Sequence, residues 1–134
     1  MDFNSILQTH FSCAYPALYE RIKSQTWQQQ LGNLASTLAT ISTQASIPQK
    51  DKLTTYLLRD AALIIEWCAK NVPESFHSEL AAIQKECLAW KQIFPLEATR
   101  NLLSIHTRHQ SDRILEMAGL SHDEKSLKAV NSRL

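Results

Sequence analysis

The sequence predicts an all-α fold, an up-and-down bundle of five to six helices in a single domain over residues 1–134. Three observations support this prediction. Only 2 residues are glycine, too few for the many tight turns of an all-β chain. Hydrophobic residues make up 44% of the chain and recur at intervals of three and four, the period of amphipathic helices. The connections between these segments are short, which favours antiparallel neighbours.

Four prolines divide the chain into its predicted helices. Pro16, Pro48, Pro73 and Pro95 each precede a segment with helical periodicity. Proline is tolerated in a first helical turn, because its missing N–H group would have no partner there. The prolines therefore indicate helix starts rather than breaks within helices.

Two segments make up the first part of the chain. A short first helix is predicted over about residues 4–14. The segment from 16 to about 45 changes its apolar register between Ile22 and Trp27, where Thr26 and Gln29 match a capping box. This segment is therefore either two helices or one helix with a kink.

Three longer helices follow. The segment over about 50–71 has a broad apolar face that includes Leu53, which predicts the central helix. The segment over about 73–94 repeats apolar side chains at spacings of four and three. In the segment over about 95–118, Leu96 is in phase with Leu103, and Gly119 stands where a left-handed helix end is expected. Ser121 and Glu124 match a second capping box, which predicts a short sixth helix.

Composition excludes several classes of protein. The 14 basic and 13 acidic residues give a net charge of +1, which argues against a general nucleic-acid coat. No run approaches 18 apolar residues, so no membrane span is expected. The N-terminus carries an acid and no apolar run, so no secretory signal is expected. Three cysteines without a close pair favour reduced thiols in the cytoplasm.

No cofactor or metal is expected. A chain with 2 glycines can hardly build a glycine-rich phosphate cradle. His106, His109 and Asp112 share one third of a helix circumference, but no companion cluster of ligands stands elsewhere in the chain. Cys68 and Cys87 stand among apolar neighbours, which predicts inert core thiols.

The segment 24–49 has no ionisable side chain. Within it, small residues recur at i, i+4, i+7 and i+11, a small-residue stripe formed by Ala35, Ala39, Ser42 and Ser46. One interpretation is that this face docks another helix, because an uncharged face can be covered without burying an unpaired ion. The other is a solvated face rich in Ser, Thr and Gln. The docking interpretation predicts a non-enzymatic adaptor, chaperone or assembly subunit that binds a protein partner or a second copy of itself.

A second segment combines arginine with histidine. Its basic side chains are Arg100, His106, Arg108, His109 and Arg113. Arg100, Asn101 and His106 resemble the Arg-polar-x4-His signature of HEPN domains. That resemblance implies a small all-α fold, usually dimeric, and in many members a metal-independent ribonuclease whose Arg and His meet in a cleft between protomers. The alternative function is thus a ribonuclease of this kind or a catalytically inactive relative.

The resemblance also implies roles for individual residues. His106 would be the general acid and base, and Arg100 would stabilise charge on the phosphorus centre. Nucleic acid would be contacted through Arg100, Arg108 and Arg113 only under this alternative. The competing interpretation makes Arg100 a solvated first-turn residue and His106 a partly buried one.

Overall fold

A computed structural model describes residues 16–120, which form five α-helices and no strand. The helices are α1 (Pro16–Lys23), α2 (Trp27–Gln44), α3 (Asp51–Cys68), α4 (His77–Ile93) and α5 (Arg100–Ala118). The prediction of an all-α bundle is confirmed. The helices predicted over about 4–14 and from Ser121 lie outside the described residues.

The segment from 16 to 45 is two helices, and the predicted capping box separates them. The Thr26 hydroxyl accepts a hydrogen bond from the backbone N–H of Gln29 at 3.2 Å. The Gln29 side-chain oxygen accepts one from the backbone N–H of Thr26 at 3.0 Å. This exchange satisfies two N–H groups that the start of a helix leaves without intrahelical partners.

The other boundaries follow the predicted signals. Pro16 is the first residue of α1, and Pro48 opens the short 3₁₀ turn before α3. Two further 3₁₀ turns, Glu74–Phe76 and Glu97–Thr99, follow Pro73 and Pro95 and lead into α4 and α5. Gly119 ends α5 with a φ of 73°, the left-handed conformation that glycine adopts without steric cost.

The helices run alternately up and down around one core. Helix α2 makes its most extensive contact with α5, and it also packs against α3. Helix α3 contacts α1, α2 and α4, which agrees with its predicted central position. Buried side chains from all five helices form one apolar cluster. Of the helices within residues 16–120, none is long and apolar enough to cross a bilayer.

Two residues on the predicted apolar stripes are exposed. Leu53 is 43% exposed and Leu96 is 49% exposed. Both lie at the end of the bundle where α3 and α5 begin. Periodicity identifies the side of a helix that faces its neighbours, but at the start of these two helices no neighbouring helix within residues 16–120 covers that side.

Candidate functional site

The helix that covers the small-residue stripe is α5 of the same chain. Ser42 donates its hydroxyl to the Ser104 carbonyl at 2.6 Å, and Ser104 donates its own to the Ser42 carbonyl at 2.7 Å. Two turns away, the Ser111 hydroxyl donates to the Ala35 carbonyl at 2.8 Å. Ala35 and Ser42 are both buried. These two side chains therefore lie in the α2–α5 contact and are covered within the chain.

The remainder of the uncharged segment has two different environments. Ala39 is half-buried, and Ser46 lies exposed beyond the end of α2. On the outer side of α2, the hydroxyls of Thr37, Thr40 and Thr43 each donate to the carbonyl four residues earlier. The helix itself therefore satisfies these three hydroxyl donors.

Arg100 lies at the centre of an ion-pair cluster. It is only 8% exposed. Its guanidinium donates to both carboxylate oxygens of Asp51, at 2.7 and 2.8 Å, and to Glu97 at 2.7 Å. It also donates to the Ala45 carbonyl at 3.1 Å. The hydrogen bonds from Arg100 hold the pKa of Asp51 below its ordinary value.

His106 belongs to a different cluster, on the seam between α4 and α5. Its Nε2 lies 2.7 Å from Glu86 Oε2. The same carboxylate oxygen accepts a hydrogen bond from Gln110. None of the hydrogen bonds of Arg100 or His106 joins the two residues. Within one chain, the two residues therefore belong to separate clusters.

The other two arginines of the basic segment also differ from each other. Arg113 forms a bidentate pair with Glu79, at 2.7 and 2.8 Å, and a third contact with Glu116 at 3.1 Å. Its hydrogen bonds lower the pKa of Glu79. Arg108 is exposed and forms no ion pair with any residue in 16–120. The segment therefore does not present three free cations to a polyanion.

The remaining titratable groups show no arrangement suited to redox or metal chemistry within residues 16–120. Cys68 and Cys87 are free and buried, and burial raises the pKa of both thiols to about 12. In the same part of the chain, no group of three or more His, Cys, Asp or Glu side chains is placed to hold a metal ion. Instead of sharing a metal site with His109 and Asp112, His106 bonds Glu86.

A surface that the sequence did not indicate lies at one end of the bundle. The α2–α3 and α4–α5 connections meet there, since Arg100 bonds both Ala45 and Glu97. Five large apolar side chains, each between 39% and 57% exposed, lie in these connections or within the first or last three residues of the helices that they join. We call them the apolar end: Ile47, Leu53, Ile93, Leu96 and Leu102. A turn further along α3 and α5, Tyr56 and Ile105 are similarly exposed. Leu120 is the one large exposed hydrophobic of residues 17–120 at the opposite end.

Positive charges outnumber negative charges around the apolar end. Both nearby carboxylates, Asp51 and Glu97, form ion pairs with Arg100. Lys50 and Lys52 are exposed, and neither forms an ion pair with a residue in the described range. The surface is therefore apolar with a basic border. Its lysines are visible in the sequence, but the pairing of Asp51 with Arg100 depends on a contact across 49 positions.

Comparisons with models of known families, with curated proteins and with solved structures find no match to this chain.

Proposed function

We propose that this protein is a non-enzymatic protein–protein interaction module that binds an acidic, amphipathic helical segment of a partner at its apolar end. The observation that carries the proposal is that five of the eight large exposed hydrophobic side chains of residues 17–120 lie at one end of the bundle. Scattered exposed apolar residues are normal on a protein surface, but a group of them at one place is typical of interaction sites.

The apolar end offers useful binding free energy. Fully burying a large aliphatic side chain stabilises by about 1.5–3 kcal/mol. Covering the exposed half of one such side chain should therefore contribute about 1 kcal/mol to binding. Covering all five should contribute about 5 kcal/mol before the cost of association is subtracted. This amount suits a modest, reversible interaction rather than an obligate one.

Charge favours an acidic partner over a second copy of the chain. Lys50 and Lys52 border the apolar end, and together with Arg100 they outnumber the two nearby carboxylates, Asp51 and Glu97. Two copies that met through this surface would place like charges together, which opposes association. A helix with Asp or Glu beside its apolar face would supply the complementary charge.

In this proposal, only the C-terminal end of the uncharged segment 24–49 lies at the binding surface. Ser46 is exposed and stands next to Ile47 of the apolar end. Ala35 and Ser42 are covered by α5, so in this fold they support the site rather than contact the partner. Two free, buried thiols suit a reducing compartment, and we place the module in the cytoplasm.

The ribonuclease alternative has less support. A surface histidine paired with a carboxylate, as His106 is with Glu86, suits general acid–base chemistry. The arginine of the motif, however, uses four of its five N–H groups within the chain. RNA cleavage that is lost in His106→Ala would replace the interaction proposal with this one.

The experiment is a fluorescence anisotropy titration with a designed helical peptide. The peptide carries leucines at i, i+3, i+4 and i+7 with glutamates beside them, and its control replaces every glutamate by lysine. We expect the acidic peptide to bind and the basic one not to. Leu96→Ser should weaken binding about fivefold, the equivalent of covering half a leucine.

Leu120→Ser is the matched control for this variant. It makes the same change at a leucine of similar exposure, 47%, at the opposite end of the bundle. Binding that is equally strong for both peptides, or equally weakened by both variants, would contradict the proposal. Light scattering that finds a dimer disrupted by Leu96→Ser would identify a second copy as the occupant instead.

A further inference from the structure

Arg100 holds its two carboxylates in different ways. Its terminal nitrogens donate to both oxygens of Asp51, at 2.7 and 2.8 Å, and the Asp51 side chain is 22% exposed. Its Nε donates to one oxygen of Glu97 at 2.7 Å, and the Glu97 side chain is 82% exposed. The guanidinium carbon lies 5.3 Å from the centre of the buried Phe94 ring. The inner part of the guanidinium is therefore fixed, whereas Glu97 covers its Nε from the solvent side.

The contact with Glu97 is the more easily exchanged of the two. Exposed ion pairs three positions apart stabilise little, because water screens the charges and both side chains lose freedom. Two parallel hydrogen bonds hold Asp51, which also gives that pair a fixed geometry. Moving Glu97 away from Arg100 therefore costs little and leaves the pair with Asp51 in place.

This exchangeable contact lies at the apolar end. Glu97 directly follows Leu96, one of the five side chains that define the surface. An acidic helix that packs on Leu96 would bring its own carboxylates close to the Arg100 Nε–H. A hydrogen bond is stronger in a covered interface than in water, because the local dielectric constant is lower. A carboxylate of the partner and that of Glu97 would thus compete for one donor.

We propose that Glu97 is an internal competitor of the partner. When the acidic helix binds, one of its Asp or Glu side chains replaces Glu97 on the Arg100 Nε–H. This inference rests on the proposed function, because it concerns the same surface and the same partner. Glu97 limits the affinity, and Arg100 favours a carboxylate over an amide, since a charged acceptor makes the stronger hydrogen bond.

The first measurement is a fluorescence anisotropy titration with two peptides. One is the acidic helix of the preceding section, and the other is a neutral copy in which every glutamate is replaced by glutamine. Glu97→Ala should bind the acidic peptide about threefold more tightly than the wild type, because the competing carboxylate is gone. Its affinity for the neutral peptide should equal that of the wild type.

Glu116→Ala is the matched control. Arg113, like Arg100, binds one carboxylate, that of Glu79, through two hydrogen bonds and a second one, that of Glu116, three positions away. Glu116 is exposed and lies 16 positions from Arg100 on the same helix, about 24 Å along its axis. This variant should change the affinity for neither peptide.

Removing a negative charge could favour an acidic peptide without any exchange of partners, so the second measurement follows the Arg100 Nε–H by ¹⁵N–¹H NMR. Its signal is the arginine signal that Glu97→Ala displaces and Glu116→Ala leaves in place. In Glu97→Ala, the acidic peptide should return this signal towards its wild-type position as binding saturates. The neutral peptide should not.

Three results would overturn the proposal. They are equal affinity of the wild type and Glu97→Ala for the acidic peptide, equal gains from Glu97→Ala and Glu116→Ala, and tighter binding without return of the Arg100 signal. Each leaves the proposed function standing, provided that Leu96→Ser still weakens binding. An acidic peptide that binds neither the wild type nor Glu97→Ala would contradict the proposed function and this inference together.

Discussion

Ser42 provides the most direct test of how the uncharged segment is used. The residue is 6% exposed, and its hydroxyl donates to the Ser104 carbonyl at 2.6 Å. Ser42→Ala removes this hydrogen bond without adding bulk. Since the Ser104 carbonyl also accepts from the Thr107 hydroxyl at 3.3 Å, no bare acceptor remains. The lost hydrogen bond should therefore cost about 1 kcal/mol of unfolding free energy.

A matched variant isolates that contribution. Alanine favours a helix over serine by about 0.5 kcal/mol, which offsets part of the loss. Ser36→Ala makes the same change on an exposed position of α2. We expect Ser36→Ala to stabilise by about 0.5 kcal/mol and Ser42→Ala to destabilise by about the same amount. The difference between the two variants is then the hydrogen bond.

The assay is urea unfolding followed by far-UV circular dichroism. For small proteins the free energy falls by about 1–3 kcal/mol per molar urea, so the midpoints of the two variants should differ by about 0.5 M. Because the contact lies within one chain, this difference should not change over an approximately fiftyfold range of protein concentration. Equal midpoints would refute the hydrogen-bond account. A difference that grows with concentration would show that Ser42 contacts a second chain.

Three further predictions concern titration, thiol reactivity and a helix end. The hydrogen bonds from Arg100 hold the pKa of Asp51 below its unfolded value of about 3.9. The contribution of Asp51 to stability is therefore complete above about pH 3.9 and is lost as the pH falls towards the folded pKa. Asp51→Asn should reduce the fall in urea midpoint between neutral and acidic pH, and an unchanged fall would contradict this. Cys68 and Cys87, with thiol pKa values near 12, should react with a thiol reagent at neutral pH only in denaturant, so more than one fast-reacting thiol per native chain would contradict their burial. Gly119→Ala should destabilise the protein by about 1 kcal/mol, because alanine disfavours a φ of 73°. A new Cβ at this position would meet no atom within 4 Å, so no steric clash adds to this cost. A neutral effect in thermal unfolding would contradict this.

Much of the fold follows from local patterns in the sequence. The helix starts depend on proline and on the capping box at Thr26, and the end of α5 depends on Gly119. Each of these signals acts within one turn of the chain, so a sequence shows it directly. The apolar spacing in α4 likewise identifies Leu80, Ile83 and Cys87 as buried residues.

The sites depend on contacts between distant positions, which periodicity does not encode. Arg100 resembled a solvated or catalytic residue because its partner Asp51 stands 49 positions away. Ser42 belonged to a stripe that predicts helix docking, but the sequence does not say that the docking helix is α5. The exposure of Leu96 likewise reflects where the bundle stops rather than any local pattern.

Arg100 has a consequence for how the bundle opens. One guanidinium joins the connection at Ala45 to the turn at Glu97, so neither connection can separate without breaking bonds that hold the other. Native-state hydrogen exchange should therefore detect the two as one cooperative unit. The backbone amides of Lys50 and Thr99 should share one opening free energy, although they lie far apart along the chain, and Arg100→Met should uncouple their exchange rates.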